Sequence, residues 1–460
     1  MEIFSKGITT LCRTVVGALF VVSGLIKSND ALGFMYKLQE YFEAGALNME
    51  FLTPYALEVA VFVCIAEILL GVALLLGALP KLTTVLTTAM MLFFTWLTWY
   101  TATCDPFGMK EMVSSDGVIS TIANQCVLEC GCFGNAIPLT PIQSFYKDLI
   151  LLVFVLPILI AAFRNKITLN DSTTSIIIYT GALVLTFLFG FLMLDWNFPT
   201  LYLVLLLFTA GIVRKRVTHP ALEWIMAAAV VVVIVIVQIT ALNHLPLKDY
   251  RPYAVGESVL ENRMFADELG LVAPVYATEY LFKNIHTGEE SIVLSSDYLI
   301  LWNDSTFTST YELVTYDGAE VVLSEGYVPR ILDFQMINKS GDDLTDTVLA
   351  DTGYTFLHIS KDLDVTNGEG QSQMNALAAA AKSQGFSFYG LTNVGYDLNE
   401  NFRNEFQAPY EFLTCDQTEL KIVIRSNPGL VLIKDGVVVE KWAWRDIPAF
   451  EDLNLNLTLK

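Results

Sequence analysis

Seven stretches of this chain are apolar for long enough to cross about 30 Å of hydrocarbon as a helix rising about 1.5 Å per residue. They lie near 8–26, 55–79, 82–101, 145–163, 174–194, 198–213 and 221–243. Beyond residue 244 the pattern changes. Asn243 to Tyr253 mixes two prolines with charge and aromatics and reads as a membrane-exit linker at the headgroups. Residues 276–332 alternate apolar and polar in places, as in Tyr276 to Lys283 and Tyr311 to Tyr316, which predicts strands. From Phe334 onward strands and helices take turns. Tyr354 to Ile359 predicts a buried strand, Ser372 to Ser383 an alanine-rich helix, Phe386 to Leu391 a strand and Glu400 to Phe406 a helix. Pro428 then precedes two apolar strands joined at Asp435-Gly436. That order predicts a parallel or mixed sheet closed by a hairpin. The chain therefore divides into membrane segments at 1–163 and 164–244, a strand-bearing linker at 245–332 and an α/β domain at 333–460.

Charge sharpens the division. Of 460 residues 54% are hydrophobic and only 16% charged, outside the range of soluble globular proteins. The net charge of -21 sits mostly in the tail: residues 1–244 carry 12 Lys+Arg against 15 Asp+Glu, and residues 245–460 carry 15 against 33. So acidic a tail is repelled by nucleic acid and by anionic headgroups. Lys6 and Arg13, Lys81, Arg164 and Lys166, and Arg214-Lys215-Arg216 all fall on one side of the seven spans, which the positive-inside rule makes cytoplasmic. Arg13 interrupts the first apolar stretch and no small-residue cleavage site follows, so that stretch reads as a retained span. The expectation is an inner-membrane protein with a cytoplasmic N-terminus. Its 102–144 loop and its tail share the periplasmic, disulfide-permitting side.

Four of the seven cysteines, Cys104, Cys126, Cys130 and Cys132, lie in that loop. A disulfide between Cys130 and Cys132 closes a small strained ring, and strain makes such a bond labile. A thiolate attacks and a nearby second cysteine resolves the mixed disulfide, so the loop is a candidate redox relay: one pair exchanges with client thiols, the other passes electrons toward a membrane quinone. The alternative is two structural disulfides pinning a long loop on a non-enzymatic scaffold. No histidine lies in the loop and the spacings fit no common zinc site, so no metal is expected. Cys12 and Cys64 read as small core residues within spans.

Glu67 stands near the middle of the second span, where an ionisable group is expensive and functional by default. It is either a proton acceptor for quinone reduction or a carboxyl bonded across helices. Lys27, at the outer end of the first span, is its best basic candidate, and depth alone leaves open whether the two meet. Trp96, Trp99 and Tyr100 end the third span, where aromatics are ordinarily belt anchors and otherwise line a quinone site. So few charges within the spans argue against a transporter's polar pathway.

The first 163 residues resemble the DoxX family and its relative MauE, four-helix membrane modules associated with respiratory and thiol redox chemistry. The likeness rests on Arg13, Gly17, Phe20, Ser23-Gly24 and Lys27, on Glu67, Gly71 and Gly77, and on Cys130-Gly131-Cys132-Phe133-Gly134 leading to Asp148. The segment from Cys104 to Cys126 is longer than the family pattern and adds two cysteines. The end of the chain resembles the thioredoxin-like fold, which implies a cis-proline at Pro428 and a client-docking loop at Asn427-Pro428. Ser360-Lys361-Asp362-Leu363 stands where that fold carries Cys-x-x-Cys, so the tail lacks dithiol chemistry, and Cys415 reads as a bystander. The whole resembles DoxX-type proteins with a degenerate thioredoxin-like tail: a multi-pass bundle with an extracytoplasmic α/β domain, partnered by exported thiol proteins or an envelope redox protein.

Overall fold

A computed structural model of the chain describes every residue except Met1, 106–107, 114–118, 128–130, 132, 316–319, 454 and 456–460. The chain forms two units, Met1–Cys104 with Cys126–Tyr250, and Asp105–Gln125 with Arg251–Lys460.

The first unit is helical. Its helices are α1 Glu2–Asn29, α2 Ala31–Phe42, α3 Ala56–Leu76 and α4 Pro80–Ala102. A short hairpin of the other unit, β1 Met109–Val113 and β2 Ile119–Ala123, intervenes in sequence before α5 Pro141–Phe163, α6 Ser172–Met193, α7 Phe198–Arg216 and α8 Leu222–Asn243. Seven of these are long and apolar enough to span a membrane, at the positions the hydropathy pattern marks. The eighth helix, α2, is too short to register as a span. Asp30 caps it by accepting from the Gly33 amide, and Leu38, Tyr41 and Phe42 face inward.

Small residues bring α1 and α3 together. A Cβ on Gly24 would stand 2.6 Å from the Ile68 side chain, and one on Gly71 would stand 2.8 Å from the Gly17 carbonyl oxygen. Lipid tails are as apolar as leucine, so close backbone packing of this kind is what holds such helices together. At the other end of α3 the buried Arg13 does a different job. Its Nε donates to the Leu74 carbonyl at 3.0 Å and its Nη2 to Asn170 Oδ1 at 2.7 Å, while Asn170 donates to the Leu75 carbonyl at 2.7 Å. The last carbonyls of a helix have no internal partners and carry its negative pole, so a buried cation there satisfies both needs.

The second unit adds α9 Val259–Arg263, then β3 Val275–Asn284, β4 Glu290–Leu294, α10 Ser295–Trp302, α11 Ser305–Thr310, β5 Tyr311–Thr315 and β6 Glu320–Ser324. In this small sheet β3 pairs antiparallel with each of β4, β5 and β6. After α12 Thr345–Leu349 come β7 Tyr354–Ser360, α13 Gly368–Ser383, β8 Ser387–Thr392, α14 Tyr396–Phe406, β9 Glu411–Thr414, α15 Gln417–Val423, β10 Gly429–Lys434 and β11 Val437–Ala443. The five strands order as β11-β10-β7-β8-β9. Strands β7, β8 and β9 run parallel, and β10 and β11 antiparallel. Asp435 and Gly436 both have positive φ, 50° and 70°, which suits a two-residue hairpin loop. Phe356, Phe388, Leu430 and Leu432 pack beneath Met374, Leu377 and Ala378 of α13.

One expectation is corrected. Arg251 and Tyr253, expected in a membrane-exit linker at the headgroups, are buried in the second unit. Arg251 donates to the Ile422 carbonyl, Lys441 to the Tyr253 carbonyl, and Tyr253 Oη to Glu419 Oε2 at 2.5 Å. Burial, reinforced by the Glu419 charge, holds the Tyr253 phenol far above its ordinary range.

Candidate functional site

Lys27 and Glu67 meet. The lysine Nζ lies 2.6 Å from Glu67 Oε2 and 3.2 Å from Ser23 Oγ, and both charged side chains are about 4% exposed or less. Depth along separate helices left this contact open; the reason for it is local. Gly24, one turn before Lys27, lets α1 touch Ile68, the neighbour of Glu67, so the flexible lysine stem bridges what depth remains. Aromatic faces complete the surroundings, Phe94 of α4 at 4.8 Å from the ammonium and Phe34 of α2 at 5.8 Å.

Cys130 and Cys132 lie outside the described residues, but Gly131 between them is in place. A Cβ on it would stand 3.0 Å from Lys37 Cγ and 4.0 Å from Phe34. Phe34 thus lies near Gly131 and also near the Lys27 ammonium. Gly131 has φ +70°, a conformation glycine adopts at no steric cost. Phe133 is buried with Val22, Ile26 and Leu194, and Lys147 lies 4.9 Å over its ring. Lys147 pairs at 2.9 Å with the buried Asp148, whose other oxygen is 3.2 Å from Thr98 Oγ1. Cys104 and Cys126 are joined to each other by a disulfide. Cys12, Cys64 and Cys415 are free and buried.

Trp96 and Trp99 are not brought to the ion pair. At about 100° per residue they point away from Phe94, and they lie 44% and 49% exposed on the outward side of α4, with Trp96 stacked on Tyr100. Sequence reasoning missed Phe34, Phe94 and Lys37. The aromatics look like ordinary span residues, while α2 carries too much polarity to stand out by hydropathy; the apolar stripe of a short amphipathic helix was the available signal.

In the second unit the Asn427–Pro428 peptide is cis. Asn427 donates to the Asp362 carbonyl at 2.7 Å, and Pro428 packs against the position a Cβ of Gly370 would take. The strand after it sets Gly429 opposite Ile359, so the turn lies beside Ser360 and Lys361. Deeper in the sheet Gln371 donates to Tyr410 Oη at 2.7 Å, and that hydroxyl is 3.0 Å from His358 Nδ1. Burial drives the imidazole down to about 3 and pushes the Cys415 thiol up to about 12.

Over residues 5–105 the chain matches the family model for methylamine utilisation protein MauE, a family of membrane proteins. No curated protein and no solved structure matches it.

Proposed function

We propose that the protein is a thiol-disulfide relay of the bacterial inner membrane. The observation that carries this reading is the ring of Phe34, near both Gly131 of the Cys-x-Cys run and Lys27 of the buried Lys27–Glu67 pair. One of the pairs Cys130/Cys132 and Cys104/Cys126 exchanges with client thiols: a client thiolate attacks the loop disulfide, a mixed disulfide forms, and the second client thiol resolves it. The client leaves with a disulfide and the loop with two thiols. Two electrons and two protons then pass to a membrane quinone, giving the quinol and restoring the loop disulfide. Glu67 is the proton carrier in this step, and Lys27 holds it in place. Likeness to MauE over residues 5–105 supports a membrane redox role.

The tail is read as a thioredoxin-like docking domain that presents clients. What supports this is the arrangement of β7 parallel to β8, β10 antiparallel to β7, and the Pro428 turn entering β10 beside Ser360. A groove with free backbone groups binds an extended peptide without cysteines of its own. This step is an analogy of fold. The second reading, a scaffold with structural disulfides, is favoured by the Cys104–Cys126 bond, which staples its loop across a separation of 22 residues. Thiol trapping separates the two: a relay's cysteines turn over with client load, and a scaffold's stay oxidised.

A further inference from the structure

Among the described residues, five polar side chains of the membrane unit have atoms without a hydrogen-bond partner: Ser28 Oγ, Thr186 Oγ1, Thr200 Oγ1, Tyr202 Oη and both amide atoms of Gln238. Ser28 and Thr200 stand within three residues of a helix end, and Thr186, Tyr202 and Gln238 lie deeper. These last three residues are each at most 2% exposed. They come from three successive helices, α6, α7 and α8, and each lies on its helix's buried stripe. On α8 that stripe is Met226, Val230, Ile234 and Gln238, at four-residue steps; on α6 it is Ile178, Ala182 and Thr186. These stripes and Tyr202 meet in one core with Leu25 of α1 and Ile68 of α3. Counted along the helices, Thr186, Tyr202 and Gln238 lie about 10, 6 and 8 Å from the ends on the cysteine-loop side. They share one level of the membrane.

An amide buried in hydrocarbon with nothing to bond is costly, because no water is at hand to replace the missing partner. The ligand that answers this cost must reach the level through lipid and offer hydrogen-bond acceptors to the tyrosine and threonine hydroxyls and the Gln238 Nε2. Carbonyl oxygens on a lipid-soluble molecule fit, and an apolar ring bearing them also fits the aromatic run of Trp196, Phe198 and Tyr202, whose successive centroids are 5.5 and 6.0 Å apart. Gln238 Oε1 is an acceptor for the hydroxyl that such a carbonyl becomes on reduction. Tyr202 shares its core with Leu25 of α1 and with Ile68, the neighbour of Glu67 on α3, which sets this core beside the candidate proton carrier.

We infer that Tyr202 and Gln238 bind the head group of a membrane quinone, a site that rests on the relay reading and gives its electron acceptor a place. The test uses the full chain in quinone-free phosphatidylcholine nanodiscs, titrated with a short-chain ubiquinone analogue while tryptophan fluorescence and the thermal midpoint are read. Wild type is expected to show saturable quenching and a raised midpoint. Tyr202→Phe and Gln238→Leu should each weaken binding up to about tenfold, the worth of one hydrogen bond. Without quinone their midpoints should be unchanged or higher, since each deletes an unpartnered polar group. Equal quenching in wild type and variants overturns the site. So does stabilisation by a short-chain diacyl lipid with none by the quinone, which would assign the level to acyl ester carbonyls. Binding should survive Cys130→Ser with Cys132→Ser. Quinone binding that depends on Tyr202 in a protein whose thiols never reoxidise sinks the relay and leaves the site; thiol reoxidation untouched by Gln238→Leu sinks the site and leaves the relay.

Discussion

Replacing Lys27 by methionine keeps the length of the stem and removes the ammonium from a carboxylate 2.6 Å away. At an effective dielectric of about 20 that contact is worth roughly 6 kcal/mol before the cost of taking both ions out of water. Removing one partner of a buried pair generally costs about 3–5 kcal/mol, because the survivor keeps its desolvation penalty without its neighbour. For a unit of this size that corresponds to a fall of roughly 10 °C in thermal midpoint. Replacing both, Lys27→Met with Glu67→Met, leaves no stranded charge and should return the midpoint to within a few degrees of wild type. The assay is thermal unfolding of the detergent-solubilised full chain across the four members of the cycle. Additive losses, with the double variant as unstable as the two singles together, would refute the reasoning. Activity separates from stability here: the double variant should fold and still fail to reoxidise its loop thiols.

Four further outcomes are expected. Arg13→Ala removes the donors that satisfy the end of α3 and should cost at least about 2 kcal/mol in the same unfolding assay, with Arg13→Lys recovering only part of it. Cys104→Ser with Cys126→Ser opens a loop closed over 22 residues, worth roughly 3 kcal/mol in chain entropy, and should expose 105–125 to limited proteolysis. His358 is held neutral in the fold with its value down to about 3, so its contribution is complete above the unfolded value near 6.5 and is lost as pH falls toward 3. The second unit should therefore lose up to about 1.4 kcal/mol per pH unit in that window, and His358→Phe should flatten the slope. Cys415, with its thiol pushed up to about 12, should resist maleimide at neutral pH until the domain is unfolded.

The spans were legible because a bilayer imposes a length and a composition that few other structures share, and all seven fall where the apolar stretches lie. Strand and helix alternation in the tail was legible for a related reason: the Asp435-Gly436 turn and the apolar runs on either side of it are local signals. What stayed hidden is non-local. That Lys27 reaches Glu67 depends on the close crossing at Gly24 and Ile68, which no pattern within either helix encodes. Helix α2 was missed because Lys37 and Glu40 pair on its surface and dilute its hydropathy, although its inward residues pack in one cluster with Val127 of the loop. The burial of Arg251 and Tyr253 was misjudged as headgroup chemistry because their partners, Ile422, Glu419 and Lys441, lie far along the chain. Thr186, Tyr202 and Gln238 are unremarkable singly; only the bundle sets them at one level.

The central claim is that the loop cysteines turn over, and thiol trapping in intact cells tests it most directly. A mass-adding maleimide reports Cys130 and Cys132 before a brief pulse of reductant, after it, and during recovery. The account predicts rapid reoxidation that stops when respiration is blocked and is lost in Glu67→Gln. Cysteines that resist reduction throughout, or that reoxidise at the same rate without respiration, would contradict it.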